Sequence, residues 1–391
     1  MGRSLIDWYR RHARQLPWRA TSDPYAILVA EIMLQQTRVD TVRDRYAAFL
    51  DRFPDLGSLA AAESEEVLTA WSGLGYYRRA QALHALARRV MQEHDGRLPA
   101  DLEGLRSLPG IGPYTAAAVA SIAFGVPALA LDGNVGRVLC RLAAVREDPR
   151  RPVVRRQLQR LTAGWFRHCS AGDLNQALME LGARICRPRS PRCRECPCQQ
   201  LCQARKTGIE EQIPPSRKQP VRPVNEAAAV IEEDGRYLLI RGQRPGLLQE
   251  MWEFPTLDSR LKPQKKLDGG PALQGRSSLR LYLLEMGWQV ELGETLGEIR
   301  HAITDRSIRC RVYRGRWQQK ATSPLPPDDG GDHPARPTAD AADSTATGQK
   351  PTPESGWFTP LGATRLPLAA SAVKILSQLL HADLTPSGTA R

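Results

Sequence analysis

Four cysteines lie within 17 residues near the middle of the chain, in the pattern C-x6-C-x2-C-x5-C formed by Cys186, Cys193, Cys196 and Cys202. The residues around them are mostly arginine, proline and other polar types, which cannot build an apolar core. Short loops can instead bring the four thiolates to one metal centre. Zinc usually binds two separated C-x2-C pairs, whereas a single compact run of four is typical of an iron–sulfur cluster. We therefore expect a metal centre here, and a [4Fe–4S] cluster in preference to zinc, with the fifth cysteine, Cys198, as a spectator.

The chain has 391 residues, which is too long for one ordinary core, so two or more domains are expected. Residues 1–185 show the three- and four-residue apolar spacing of helices, and the cysteine loop follows at 186–205. A proline-rich linker is predicted at 206–223. Residues 224–382 then show strand patterns and a last helix, which indicates a small α/β domain. Within it, 321–356 has almost no large apolar residues and is expected to be disordered. The individual elements predicted are strands at Ala227–Ile231, Arg236–Arg241 and Arg309–Trp317 and helices at Tyr76–Met91 and Leu368–Leu380.

Positive charge is concentrated in the first half of the chain. Residues 1–206 hold 31 Lys and Arg against 20 Asp and Glu, and the remainder holds 24 against 22. Before Lys206 all of this charge is arginine. A basic half indicates a polyanionic partner such as nucleic acid, and an arginine-rich solvated surface is the alternative. No segment has the apolar length of a secretion signal or a membrane span, so we expect a cytoplasmic protein that contacts no membrane.

A glycine-containing turn, Leu108-Pro109-Gly110-Ile111-Gly112, lies between two helical segments. Two glycines allow a tight backbone turn and expose amide groups at the start of the next helix, where an anion is favoured. The pattern is typical of a helix–hairpin–helix element, which holds a DNA phosphate without reading the base sequence. A plain helix–helix turn is the alternative.

Two carboxylates occupy unusual places. Glu31 lies in the apolar segment 26–34, where burial would raise its pKa toward that of a general acid. Asp132 follows another apolar segment and precedes Gly133-Asn134; its alternative role is to cap a helix that begins near Val135. Cleavage of a glycosidic bond requires two carboxyl groups, one protonated and one ionised. We therefore expect Glu31 and Asp132 to face one cleft with their carboxyl groups roughly 5–7 Å apart, near the spacing of retaining enzymes, and we expect Glu31 to be protonated and Asp132 ionised.

Taken together, these residues resemble the adenine DNA glycosylases of the MutY type, in the helix–hairpin–helix superfamily that includes endonuclease III. The resemblance covers most of the chain. It rests on the cysteine loop and on the segments Leu16–Arg19, Glu31–Thr37, Gly73–Tyr77, Leu108–Thr115, Leu131–Val135, Gly246–Leu248 and Met251–Pro255. It implies a mainly α helix–hairpin–helix glycosylase domain with an iron–sulfur cluster loop, followed by a C-terminal α/β Nudix-like domain.

The resemblance implies a monomeric, nucleoid-associated enzyme of base excision repair that removes adenine paired with 8-oxoguanine or guanine from duplex DNA. Glu31 would protonate adenine and help to activate water, Asp132 would stabilise the oxocarbenium ion, and Tyr114 and Asn134 would hold the pair. The other implied contacts to base or DNA come from Arg14, Leu16, Trp18, Gln36, Tyr76, Gly110, Ile111, Gly112 and Thr304. Of these, Gln36 and Tyr76 would fill the gap that the flipped base leaves, whereas Leu16 and Trp18 could equally pack in the core.

The C-terminal half departs from the family in one loop. The family often has Phe-Ser-His where this chain has Ile303-Thr304-Asp305, so Thr304 keeps a hydroxyl for 8-oxoguanine while Asp305 adds a negative charge that an arginine such as Arg306 would have to offset. A plain strand-to-strand turn is the alternative. No glutamate-rich Nudix hydrolase box is present, which indicates a lesion-recognition domain and not a pyrophosphatase.

Two competing functions can be separated from this one on the sequence. Strand-nicking relatives carry a lysine after the hairpin that forms a Schiff base with the sugar, whereas this chain has Tyr114 there and no lysine before Lys206. A non-catalytic iron–sulfur DNA-binding protein would need neither Glu31 nor Asp132. The sequence therefore predicts a monofunctional glycosylase.

Overall fold

The computed structural model describes residues 2–215, 221–241, 250–258, 275–303, 305–318 and 354–383. The chain divides into two compact units, Met1–Lys218 and Gln219–Arg391. In the described ranges no helix is long and apolar enough to cross a membrane.

The first unit is helical, as the apolar spacing predicts. Its helices are α1 (Gly2–His12), α2 (Pro24–Met33), α3 (Val39–Arg52), α4 (Leu56–Ala61), α5 (Ser64–Ala70), α6 (Arg78–Glu93), α7 (Leu102–Ser107), α8 (Pro113–Phe124), α9 (Gly133–Ala143), α10 (Pro152–Ala163), α11 (Ala171–Arg184) and α12 (Gln203–Lys206). The helix predicted at 76–91 is confirmed as α6, displaced by two residues at each end.

Local sequence signals fix the helices that carry the site. Asp23 caps α2 by accepting from the amides of Tyr25 and Ala26, and Pro24 occupies its first turn, where the missing N–H costs nothing. Helix α8 also has a proline in its first turn, Pro113, which follows the N-cap residue Gly112. Both helices are apolar on nearly every face and pack against each other, which places them at the centre of the unit.

The second unit is built on a six-stranded sheet. Its strands are β1 (Arg222–Glu233), β2 (Arg236–Arg241), β3 (Thr256–Asp258), β4 (Val290–Ile303), β5 (Arg306–Trp317) and β6 (Glu354–Phe358), and its helices are α13 (Arg276–Glu285), α14 (Pro360–Ala363) and α15 (Ala370–Asp383). The strand order is β4-β5-β1-β2-β6, with β3 paired to β1. Strands β1 and β5 run parallel, and the other pairs are antiparallel. Separate apolar clusters, one around Phe254 and one around Leu279, form its core.

Several predicted boundaries need correction. The segment predicted as disordered ends too late, because residues 354–356 lie in β6 and pair with β2; the neighbouring Phe358 is buried and anchors this strand. The predicted linker 206–223 is shorter than expected, because Lys206 ends α12 and β1 begins at Arg222. Residues 321–353 and the segment Gly246–Leu248 lie outside the described residues.

Candidate active site

Glu31 is buried in α2 and bonded to Tyr114. Its side chain is 5% exposed, and the Tyr114 hydroxyl, from the second residue of α8, donates a hydrogen bond of 2.8 Å to Glu31 Oε2. The same hydroxyl lies 3.7 Å from the sulfur of Met179. The hydroxyl of Tyr114 therefore holds the carboxyl group of Glu31 in place.

Burial raises the pKa of Glu31 from 4.5 to about 7. The hydrogen bond from Tyr114 opposes that rise, the nearby negative charge of Asp132 adds to it, and Arg19 opposes it more weakly. Since desolvation disfavours the charged form of a carboxyl group, Glu31 holds a proton for a substantial fraction of the time at neutral pH. That is the requirement for a general acid.

Asp132 caps helix α9, the role that the sequence left as an alternative to catalysis. Its Oδ1 accepts from the amide of Val135 at 2.6 Å, and its Oδ2 accepts from the side-chain amide of Asn134 at 3.1 Å. Capping does not exclude catalysis, and the charge of Asp132 is near enough to Glu31 to raise the pKa of that acid.

Burial acts in the same direction on both acids, whereas the sequence predicts a protonated Glu31 and an ionised Asp132. Burial raises the pKa of Asp132 as well, although its bonds to Val135 and Asn134 and the charge of Arg137 oppose that rise. Three groups, Val135, Asn134 and Arg137, favour the ionised form of Asp132. Two groups, Tyr114 and Arg19, favour the ionised form of Glu31.

Arg14 and Arg19 converge on one fully buried carboxylate, Glu180 of α11. The Nη2 atoms of Arg14 and Arg19 lie 2.9 and 2.8 Å from Glu180 Oε2. Burial alone would raise the pKa of Glu180, but its bonds to the two arginines bring it below the ordinary value. The sequence offered no signal for this partner, because Glu180 lies more than 160 positions from either arginine.

Leu16 and Trp18 are buried, with 6% and 7% exposure. Trp18 contacts the ring of Tyr46 edge-on, at 5.5 Å between ring centroids. This burial fits core packing, the alternative that the sequence left open for both residues, and their place in the wall of a base pocket stays a prediction.

The hairpin has the geometry that its glycines predict. Gly110 adopts φ +73°, and a Cβ there would lie 2.6 Å from Cβ of Ala82, so no other residue fits without a shift. Ile111 donates its amide to the Leu108 carbonyl, and Gly112 caps α8. The start of a twelve-residue helix favours an anion.

The four cysteines of the loop line one recess, together with Arg141 and Glu210. Cys198 is buried in the hydrophobic core of the unit and does not line the recess. In the part of the chain that the structure describes, no three His, Cys, Asp or Glu side chains are close enough to hold one metal ion. Four thiols around one recess are the donor set that an iron–sulfur cluster needs, so the residues present fit such a group.

Comparison with known proteins gives one consistent result. A family model described as HhH-GPD superfamily base excision DNA repair protein matches residues 29–163. The mouse adenine DNA glycosylase is 36% identical over 377 residues, covering 83% of this chain and 72% of the relative. The adenine DNA glycosylase of Mycolicibacterium smegmatis is 42% identical, over 52% of this chain and 69% of the relative. The chain belongs to the adenine DNA glycosylase family.

The human member of the family is 35% identical to this chain, which spans 66% of the human protein's length. A solved thermostable thymine-DNA glycosylase is 30% identical, with a TM-score of 0.49, over 53% of this chain and 95% of that structure.

Two arginines that the sequence analysis did not single out connect α9, the helix that Asp132 caps, to the cysteine loop. Arg137 donates to the Asn134 side-chain oxygen at 2.9 Å and to the Cys186 carbonyl at 2.8 Å. Arg141, one turn further along α9, donates to the Cys186 sulfur at 3.4 Å and to the Arg187 carbonyl at 2.6 Å. Both arginines are buried, four residues apart, among the apolar residues of α9. The sequence already showed these two charges at apolar helix positions, which indicates buried polar partners.

The loop that departs from the family pattern carries an ion pair in this member. Asp305 Oδ2 lies 3.6 Å from Arg222 Nε, and the amide of Arg222 donates to the Asp305 carbonyl at 2.7 Å. Arg222 of β1 therefore offsets the added negative charge, the role for which the sequence suggested an arginine such as Arg306. Thr304 lies outside the described residues.

Proposed function

We propose that this chain is a monofunctional glycosylase that removes adenine paired with 8-oxoguanine or guanine from duplex DNA. The observation that carries the proposal is the 2.8 Å hydrogen bond from Tyr114 to Glu31. This bond orients Glu31, whose burial raises its pKa to about 7 as a general acid requires. It also supports monofunctional chemistry, because a tyrosine hydroxyl cannot form the Schiff base for which the strand-nicking relatives use a lysine.

The chemistry follows from the two carboxyl groups. Glu31 donates its proton to the flipped adenine as the bond between the sugar C1′ and the base nitrogen breaks, and the bonding electrons leave with the base. Asp132 stabilises the positive charge that develops on the sugar. Glu31, now ionised, accepts a proton from the water that adds to C1′, which restores the acid. Asn134 and Tyr114 hold the two carboxyl groups in place.

DNA binding is assigned to the basic helical unit. The hairpin 108–112 would hold one phosphate, and the arginines of the cysteine loop would contact others. Gln36 and Tyr76 would fill the gap left by the flipped base, and the Arg14 and Arg19 pair on Glu180 would border the base pocket. The recess lined by Cys186, Cys193, Cys196 and Cys202 would hold a [4Fe–4S] cluster, which ties the loop to the unit when bound.

The second unit is proposed to recognise the lesion. Residues 219–391 carry little net charge, so their contribution should be discrimination between opposing bases and not affinity for phosphate. Removal of this unit is expected to reduce the preference for adenine opposite 8-oxoguanine over adenine opposite guanine while excision continues. Unchanged discrimination would remove the second unit from lesion recognition.

A direct assay tests the function. The full chain is incubated with duplexes that place adenine opposite 8-oxoguanine, guanine or thymine, and abasic product is counted with and without alkali. We expect excision from the first two duplexes and strand breaks only after alkali. Glu31→Gln should bind the mispair and excise nothing, while the surface control Glu93→Gln should behave as the parent. Strand breaks without alkali, or efficient borohydride trapping after the N-terminal amine is blocked, would contradict monofunctional chemistry.

A further inference from the structure

Two turns of the helical unit hold a non-glycine residue in the left-handed backbone region. Gln36, just after α2, has φ +58°, and Tyr76, just before α6, has φ +49°. Residues with a Cβ rarely adopt this conformation, so the surrounding contacts must hold it. Gln36 and Tyr76 are also the two residues proposed to enter the gap left by the flipped adenine.

One side chain bonds both turns. Arg79, in the first turn of α6, makes six hydrogen bonds through its two terminal nitrogens. Nη1 donates to the carbonyls of Ile32, Met33 and Gln35, at 2.8, 2.8 and 2.5 Å. Nη2 donates to Thr37 Oγ1 at 2.9 Å and to the carbonyls of Leu74 and Gly75 at 3.2 and 3.0 Å. The acceptors of Nη1 all precede Gln36 on the chain. Those of Nη2 are Thr37, which follows Gln36, and the two residues immediately before Tyr76.

Aromatic rings enclose the same guanidinium. Its carbon lies 5.4 Å from the ring centroids of both Trp71 and Tyr76, within the range of a cation–π contact. Burial lowers the pKa of Arg79 to about 10, so the group still carries its charge at neutral pH. The last carbonyls of α2 have no partner inside their own helix, and a cation is favourable at that end.

We propose that Arg79 is a positioning residue for base extrusion. Its planar guanidinium fixes the distance between the turns of Gln36 and Tyr76, so that both side chains are in place when adenine leaves the stack. The proposal rests on the proposed function, because the roles of those two side chains do. Arg79 acts through the two turns, since all six of its hydrogen bonds go to them or to the end of α2.

Lysine cannot replace arginine here. An ammonium group is a compact charge with three donors, whereas the guanidinium fork reaches six acceptors on two separate segments at once. Arg79→Lys keeps the charge and the length of the side chain but loses the bridge. Arg88→Lys is the matched control, because Arg88 lies on the same helix and also donates to backbone carbonyls, those of Ala60 and Ala62.

The test compares two substrates in the full-length protein. In one, adenine is paired with 8-oxoguanine; in the other, it faces an abasic-site analogue, so that extrusion costs less. Arg79→Lys should lower single-turnover excision about ten- to hundredfold on the paired substrate and much less on the unpaired one. Fluorescence of 2-aminopurine next to the target adenine should rise less on binding, and the pH profile of excision should not move. Arg88→Lys should match the parent in every measurement.

Other outcomes are informative. Equal loss on both substrates, or loss on neither, would overturn the proposal. If Arg79→Lys does not fold, Thr37→Val removes one acceptor and should give a smaller loss with the same substrate dependence; equal effects on both substrates would overturn the proposal by that route. If the parent excises no adenine from either duplex, the proposed function has failed, which is a different result from a parent and variant that excise equally.

Discussion

Replacement of Glu31 by glutamine should abolish excision and should also remove a loss of stability that the parent protein undergoes as the pH rises. Glu31 is buried in α2, and burial raises its pKa to about 7. In the unfolded chain the same group has a pKa near 4.5. The folded state therefore holds the proton more tightly, and stability is lost as the pH rises from about 4.5 to about 7, with no further loss above that range.

The size of the effect follows from that difference. Each pKa unit corresponds to about 1.4 kcal/mol, so ionisation of Glu31 costs about 3 kcal/mol of unfolding free energy at pH 8. Glutamine has no such ionisation, and its carbonyl oxygen can still accept from Tyr114. The buried amide of the variant adds a cost that does not depend on pH, so the informative quantity is how the difference between variant and parent changes with pH.

Urea unfolding followed by helical circular dichroism, at pH values from 4.5 to 8, measures this quantity. Groups that titrate equally in both proteins cancel in the comparison. The unfolding free energy of Glu31→Gln relative to the parent should rise by about 2–3 kcal/mol across the range. A difference that stays flat would show that Glu31 titrates normally in the folded protein, and its assignment as a buried general acid would then be wrong.

Three further results are expected. Tyr114→Phe removes the hydrogen bond that lowers the pKa of Glu31, so the alkaline limb of the pH–rate profile should move to higher pH; a shift to lower pH would contradict this geometry. Gly182→Ala places a Cβ 2.8 Å from Cβ of Asn134 and should lower excision at least tenfold with a stability cost of about 1–3 kcal/mol, measured by thermal unfolding. Protein purified without oxygen should be brown and hold about four irons per chain, and Cys193→Ser should lose that colour; stoichiometric zinc in its place would refute the cluster.

Local patterns predicted the elements and residues whose signal lies in neighbouring positions. An acid inside an apolar helix marked Glu31, and two glycines marked the hairpin at 108–112. Strand β4, in contrast, was not predicted, because its exposed face is rich in glycine and charge and only pairing with β5 defines it. The start of β1 at Arg222 depends on the same distant strand.

Residues that act through hydrogen bonds to distant segments could not be predicted from the sequence either. Nothing near Glu180 in the sequence indicates that it binds Arg14 and Arg19, and Arg79 has no local pattern that separates it from a solvated arginine. Their acceptors become visible only when segments far apart in the chain meet. Arg137 and Arg141 are exceptions, since charged residues among the apolar positions of α9 could have been noticed.

The use of arginine in place of lysine throughout residues 1–205 has a practical consequence. The first lysine of the chain is Lys206. The helices from α1 to α11 therefore contain no side-chain amine, and Arg79, Arg137 and Arg141 make their hydrogen bonds there with guanidinium groups. Succinimidyl ester dyes and amine cross-linkers will therefore attach to side chains only from Lys206 onward. A fluorophore can thus be placed on the intact protein by ordinary amine chemistry, without touching a side chain of the helices that carry Glu31 and Asp132.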